Sequence, residues 1–273
     1  MRFILSLLTC IAALATPVRA HEFWIAPEAY QIEPGAPLRA NLKVGEGFKG
    51  SPQSYFPQQF ARFALTMGDE VFPVEGRIGD IPAMNMSVPG TGLAVIVHET
   101  KGHSLRYRER ALFERFVAHK DLGDVLAQHA ARGLPELAFR EGYTRYAKAL
   151  VAVGDGAGMD REIGLNTEIV ALNNPYVDDL AQGFRAAVYH KGAARKNALV
   201  EVFARNSDGE VTVTQYRTNE AGEVVFPVAP DVEYLVDAVV MEDTGNDDPA
   251  AGPVWHSAWA SLTFRAPAPR AAK

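Results

Sequence analysis

Short apolar runs, cut every few residues by Pro and Gly turn pairs, dominate this chain on either side of one amphipathic stretch. Between His21 and Tyr107 they include Leu38–Val44, Phe60–Met67, Glu70–Val74 and Leu93–Val97, with Pro34-Gly35, Gly68-Asp69 and Pro89-Gly90 as the breaks. Runs of that length suit strands and are too short for helices. They return at Leu165–Leu172, Phe184–Tyr189, Leu199–Ala204, Val211–Arg217, Val224–Pro227, Tyr234–Met241 and Ser257–Phe264, with Ser207-Asp208-Gly209 as a hairpin turn. Strands packed that densely predict an immunoglobulin-like or transthyretin-like sandwich. The expected fold is therefore mainly β, with two β-sandwich domains and a helical segment between them.

The intervening stretch changes period. Leu112, Phe113, Phe116 and Val117 share a helical face. Asp121 is the expected N-cap of a second helix that stops at Gly133, and Pro135 the start of a third running through Tyr146 and Leu150. The resulting division is 21–107 for the first sandwich, 108–160 for the helical segment and linker, 161–265 for the second sandwich and 266–273 for a tail.

Residues 1–20 read as a signal peptide. Arg2 precedes an apolar run from Phe3 to Ala15, and Val18-Arg19-Ala20 offers small residues for cleavage after Ala20. The run falls short of the ~20 residues a membrane span requires. Cleavage removes Arg2, Arg19 and the only cysteine, Cys10, so the formal charge of −6 becomes −8 and disulfides play no part. An acidic exported chain is a poor partner for nucleic acid. The expected location is the periplasm.

Cleavage there leaves His21 as the first residue, with a free amine and an imidazole that can chelate one metal ion. A nitrogen pair of this kind suits Cu, Ni or Zn. The amine ionises near 7.7–8.0 in ordinary peptides, so freeing it for a metal costs little at neutral pH. His98 and His103 flank a Lys101-Gly102 turn, and His256 follows Trp255 at the start of a strand; these three are the expected companions of His21. His190, His119 and His129 read as strand-end or helix-surface residues. Arg145 and Lys148 read as part of a packing helix, with anion binding as the functional alternative. The acidic stretch Glu242–Asp248 lacks the spacing of an EF-hand. The chain contains no nucleophile elbow and no phosphate-binding glycine loop, so nothing calls for an enzyme.

The segments His21-Glu22-Phe23-Trp24-Ile25-Ala26-Pro27, Tyr143–Leu150, Glu168–Tyr176 and Trp259–Phe264 resemble successive blocks of the DUF4198 family of exported bacterial proteins, often labelled nickel- or cobalt-uptake-like. At His256 the family pattern has an acidic residue. The resemblance implies a periplasmic protein that binds Ni or Co, with Cu as a further candidate, and that serves a membrane metal transporter encoded elsewhere. Two other readings stay open: a copper enzyme built on an N-terminal histidine brace, and an Ig-like scaffold or adhesive protein without a site. Oligomeric state is not readable from the chain.

Overall fold

The computed structural model describes residues 22–268. In chain order the first strands are β1 (Glu22–Pro27), β2 (Gln31–Ile32), β3 (Pro37–Glu46), β4 (Lys49–Gln53), β5 (Phe60–Met67), β6 (Glu70–Pro73), β7 (Met84–Ser87), β8 (Gly92–Thr100) and β9 (His103–Arg106). Two helices follow, α1 (Arg110–His119) and α2 (Val125–Ala131). The rest is β10 (Arg140–Val153), β11 (Thr167–Ala171), β12 (Phe184–His190), β13 (Ala193–Ala194), β14 (Leu199–Arg205), β15 (Val211–Arg217), β16 (Glu223–Phe226), β17 (Glu233–Asp243) and β18 (Trp255–Arg265). Among the described residues no helix is long and apolar enough to cross a membrane. The mainly β, sandwich-type fold expected from the turn spacing is what the structure has.

One ten-stranded sheet forms the backbone of the molecule, in the order β15-β14-β17-β18-β10-β8-β5-β6, with β2 and β9 also paired to β10. A sheet of β1, β3, β4 and β7 and another of β11, β12, β13 and β16 complete the layers. Alternation along β8 and β10 divides the core. Leu93, Val95, Leu150 and Ala152 pack with Ile169, Phe184 and Phe226. Their sequence neighbours Ala94, Ile96, Ala149 and Val151 pack with Phe23, Ile25, Leu38 and Leu42. The central strands are thus covered on both faces.

That double covering explains the main sequence error. The expected third helix through Tyr146 and Leu150 is instead β10, a strand of 14 residues that pairs in parallel with β18. A strand buried on both sides has a nearly continuous apolar run, and its period-2 signal vanishes. Tyr143 and Tyr146, read as neighbours on a helix face, point to opposite faces of the sheet. The second helix also starts later than Asp121: that residue has φ +47 and Gly123 φ +70, so the chain turns before α2 begins after Asp124.

β1 is buried along its whole length. It pairs with β3 on one edge, while the Ser261 Oγ of β18 donates to Phe23 O at 2.7 Å and Thr263 Oγ1 donates to Ile25 O. Gly45 and Gly50 face each other across β3 and β4. A Cβ at Gly45 would lie 1.9 Å from Lys49 O, and one at Gly50 would lie 2.6 Å from the Trp24 ring. Gly45→Ala should therefore force the hairpin apart and destabilise by about 1–3 kcal/mol, measurable by urea unfolding.

Candidate functional site

Glu22, the residue after His21, opens β1 inside a buried ionic cluster. Lys120, at the C-terminal cap of α1, sends its Nζ between three carboxylates. Asp237 Oδ2 is 2.8 Å away, Glu201 Oε2 2.5 Å and Glu22 Oε1 3.7 Å. These four side chains are between 2% and 5% exposed. Glu22 also accepts from the Gly47 amide at 3.0 Å, and Lys120 Nζ sits 5.0 Å from the Trp259 ring centre, on which Phe116 of α1 is stacked. Asp237 and Glu201 face each other in register on β17 and β14. The C-terminal end of a helix favours a cation, which suits Lys120 there.

Three carboxylates share one ammonium, and they do not share it equally. Burial and the charge of Asp237 push Glu22 up to about 7 against the pull of Lys120. Burial likewise raises Asp237. Burial acts in the same direction on Glu201, but the His119 hydrogen bond and the Lys120 charge outweigh it and hold that carboxyl near about 2. Glu201 has two nitrogen donors, His119 and Lys120, and Asp237 one, which accounts for the opposite outcomes. His119 Nε2 lies 3.2 Å from Glu201 Oε1, and this bond raises the imidazole above its usual range.

The companions expected for His21 have different packing partners. His21 itself falls outside the described residues. His98 is 1% exposed, packed against Phe23, Phe60 and Phe63, and among the described residues neither ring nitrogen has a hydrogen-bond partner. Burial pushes it down to about 3, so it is a neutral core residue. His103 stacks on Tyr143 at 5.5 Å, and His256 Nε2 is 3.1 Å from Thr144 Oγ1. No described contact brings His98, His103 and His256 together. His190 pairs with Glu242 at 2.9 Å. His129 is tied at both nitrogens, to Trp255 Nε1 and to Pro135 O. Among the described residues no group of three or more His, Cys, Asp or Glu is arranged to hold a metal.

Other polar clusters read as structural. Lys148 is 1% exposed and bonds Asp160 at 2.7 Å and Glu168 at 2.9 Å, so it is no ligand for a solution anion. Arg145 lies over the Tyr143 ring at 4.7 Å. In the acidic stretch, Asp243 and Asp247 are both held by Arg132. Buried Glu141 accepts from Tyr107 Oη at 2.5 Å and from Ser257 Oγ, and burial raises it to about 7 despite those bonds. Its charged form is the costly one, so its contribution to stability is complete below 4.5 and fades as pH rises through 7. Glu141→Gln should accordingly flatten the loss of stability between pH 5 and 8, read from urea midpoints across that range. A cleft of about 430 Å³ at the end of β1 is lined by Glu28, Asn41, Lys43, Arg205, Glu233 and Arg265. There Arg205 is bonded to Glu233 and Arg265 to Asp231.

No curated protein matches the sequence. Among solved structures the chain is similar to a tetra-tandem repeat from the extending region of a large adhesion protein, at 10% identity and a TM-score of 0.20, covering 90% of this chain and 50% of that one. It is also similar to the D0-D1 domain of intimin, at 11% identity and a TM-score of 0.23, over 88% of this chain and 97% of the other. For the adhesin InvE of Yersinia pseudotuberculosis the values are 11% and 0.20, with 89% and 58% covered. The chain thus spans about half the length of the first of these proteins. The family described as a domain of unknown function, DUF4198, matches residues 18–242, from before β1 into β17, including Glu22, Lys120, Glu201 and Asp237. On that span the chain belongs to the DUF4198 family.

Proposed function

We propose that the protein is exported to the periplasm, is cleaved after Ala20, and binds one divalent transition-metal ion through the amine and imidazole of His21. In this reading it carries the ion, Ni, Co or Cu, toward a membrane transporter encoded elsewhere, and does no chemistry on it. The observation that supports the reading most is the fixed start of β1. Glu22 is anchored to Gly47 and Lys120, and Phe23 and Ile25 are fastened to β18. A chelate on a mobile terminus loses affinity to the ordering of its chain, whereas one on a rigid element is already positioned. The donors also fit: the nearby carboxylates are engaged by Lys120, which leaves nitrogen as the available ligand and favours Cu or Ni over Ca or Mg.

The test is calorimetric titration of Cu, Ni, Co and Zn into the exported, processed protein, whose first residue is established by N-terminal sequencing. Wild type should bind one ion. His21→Ala should lose at least about 100-fold in affinity, since two nitrogen bonds cannot form from an alanine side chain and an unsupported amine. Equal affinity in wild type and His21→Ala would refute the reading.

A further inference from the structure

We propose that the cleft at the end of β1 binds a small organic acid with a carboxylate at each end, held between Lys43 on one wall and Arg205 and Arg265 on the other. This site is separate from the His21 chelate and does not depend on it.

The cleft is the open end of the layer between the first small sheet and the ten-stranded sheet. Trp24, Ala26, Phe48, Phe203 and Leu235 fill the closed part of that layer. On the small-sheet side, Asn41 and Lys43 are the register partners of Ala26 and Trp24, so all four share one face. On the other side Arg205, Glu233 and Arg265 are register partners across β14, β17 and β18. Asn41, Lys43 and these three line the cleft, whose volume of about 430 Å³ lies within the range of small-molecule sites.

Unused donors outnumber unused acceptors there. Both Glu233 oxygens are engaged: Tyr30 Oη donates to Oε1 at 2.8 Å, and Arg205 Nη2 and Nε donate to Oε2 at 2.6 and 3.2 Å. Glu28, the other carboxylate of the lining, is paired with Arg39 at 3.2 Å. The cations are less fully used. Arg265 bonds Asp231 through Nε and Nη2, which leaves both Nη1 hydrogens. Arg205 is fixed by Glu233, by the Phe48 carbonyl at 3.1 Å and by the Phe48 ring, whose centre is 4.2 Å from the guanidinium carbon. It keeps one hydrogen on each terminal nitrogen. Among the described residues the Lys43 ammonium has no ion-pair or hydrogen-bond partner. An anionic, acceptor-rich ligand satisfies such a lining.

The class of ligand follows from where the cations stand. Arg205 and Arg265 offer planar N–H edges suited to a carboxylate, and Lys43 adds a point charge from the other sheet. A single anion meets one wall, whereas a molecule acidic at both ends meets both. Three like charges repel one another in the empty cleft, and a dianion turns that repulsion into attraction. The Asn41 amide, on the same face of β3 as Lys43, is available to a further oxygen of the same acid.

The experiment is calorimetric titration of succinate into the full processed protein at low ionic strength, with butyrate and inorganic phosphate as comparison ligands. Wild type should bind one succinate with a dissociation constant below about 1 mM. Butyrate, with one acidic end, should bind at least about 10-fold more weakly, and Lys43→Gln and Arg265→Gln should each weaken succinate about 10-fold. Neither substitution strands a buried charge: Lys43 has no partner, and the Asp231 side chain is 54% exposed. Unchanged thermal midpoints verify that both variants are folded. Lys196→Gln, which removes an exposed cation outside the lining, should bind as wild type does. Phosphate binding as tight as that of succinate would overturn the two-ended ligand. Equal succinate affinity in wild type and Lys43→Gln, or no succinate binding by wild type, would overturn the site itself.

Discussion

Lys120→Met should lower the unfolding free energy by about 3–5 kcal/mol, because it strands buried Glu22 and Asp237 without a counter-ion and leaves Glu201 with His119 alone. At about 2–4 °C per kcal/mol for a chain of this size, the thermal midpoint should fall by roughly 10 °C. The loss comes from the removal of one partner, and the intact cluster need not stabilise by the same amount. Acid should therefore restore much of it. Glu22, already pushed up to about 7, and Asp237, raised by burial, take up protons readily once the ammonium is gone. The deficit relative to wild type should shrink between pH 8 and pH 5, as read from urea unfolding. A constant deficit across that range would show that lost packing, not stranded charge, is the cause.

His98→Phe should make the protein more stable in acid. The neutral imidazole is held at about 3 by burial against an unfolded value of 6.5, so the folded state resists a proton that the unfolded chain accepts. Stability from this residue is complete above 6.5 and is lost as pH falls toward 3. Each pH unit in that window corresponds to about 1.4 kcal/mol. The variant should thus gain about 2 kcal/mol over wild type by pH 5 and about 3 kcal/mol by pH 4, beyond any offset at pH 8. Phenylalanine suits a box already made by Phe23, Phe60 and Phe63. Glu141 and Glu22 move in the opposite direction as pH falls, so the comparison must be made between variant and wild type at each pH. Parallel stability curves for the two proteins would mean that His98 does not titrate with folding.

The strands that border solvent were readable because turn chemistry marks them. Phe60–Met67 and Val211–Arg217 fall where Gly68-Asp69 and Ser207-Asp208-Gly209 place them. β10 was misread because both of its faces are covered and alternation carries no signal there. The ionic cluster was hidden for a different reason. Glu22 opens β1, Glu201 is the one acid of β14 and Asp237 sits amid the apolar middle of β17, while Lys120 ends a helix in another part of the chain. A lone carboxylate within an otherwise apolar strand was the available clue. It announces a buried partner without saying which, because the pairing is set by how the layers stack. The surroundings of the histidine candidates were equally illegible: the turn between His98 and His103 does not reveal that β8 turns His98 into the core while β9 lays His103 on Tyr143.

The parallel contact between β10 and β18 has a consequence for biogenesis. Thr144 and His256 meet across it although 112 positions of sequence separate them. One edge of the middle strand stays unpaired until β18 has been synthesised, so the ten-stranded sheet cannot be completed by the first half of the molecule. Chains joined by such distant pairings fold slowly. A delay of this kind ties the rigid seating of the first strand to the arrival of the last.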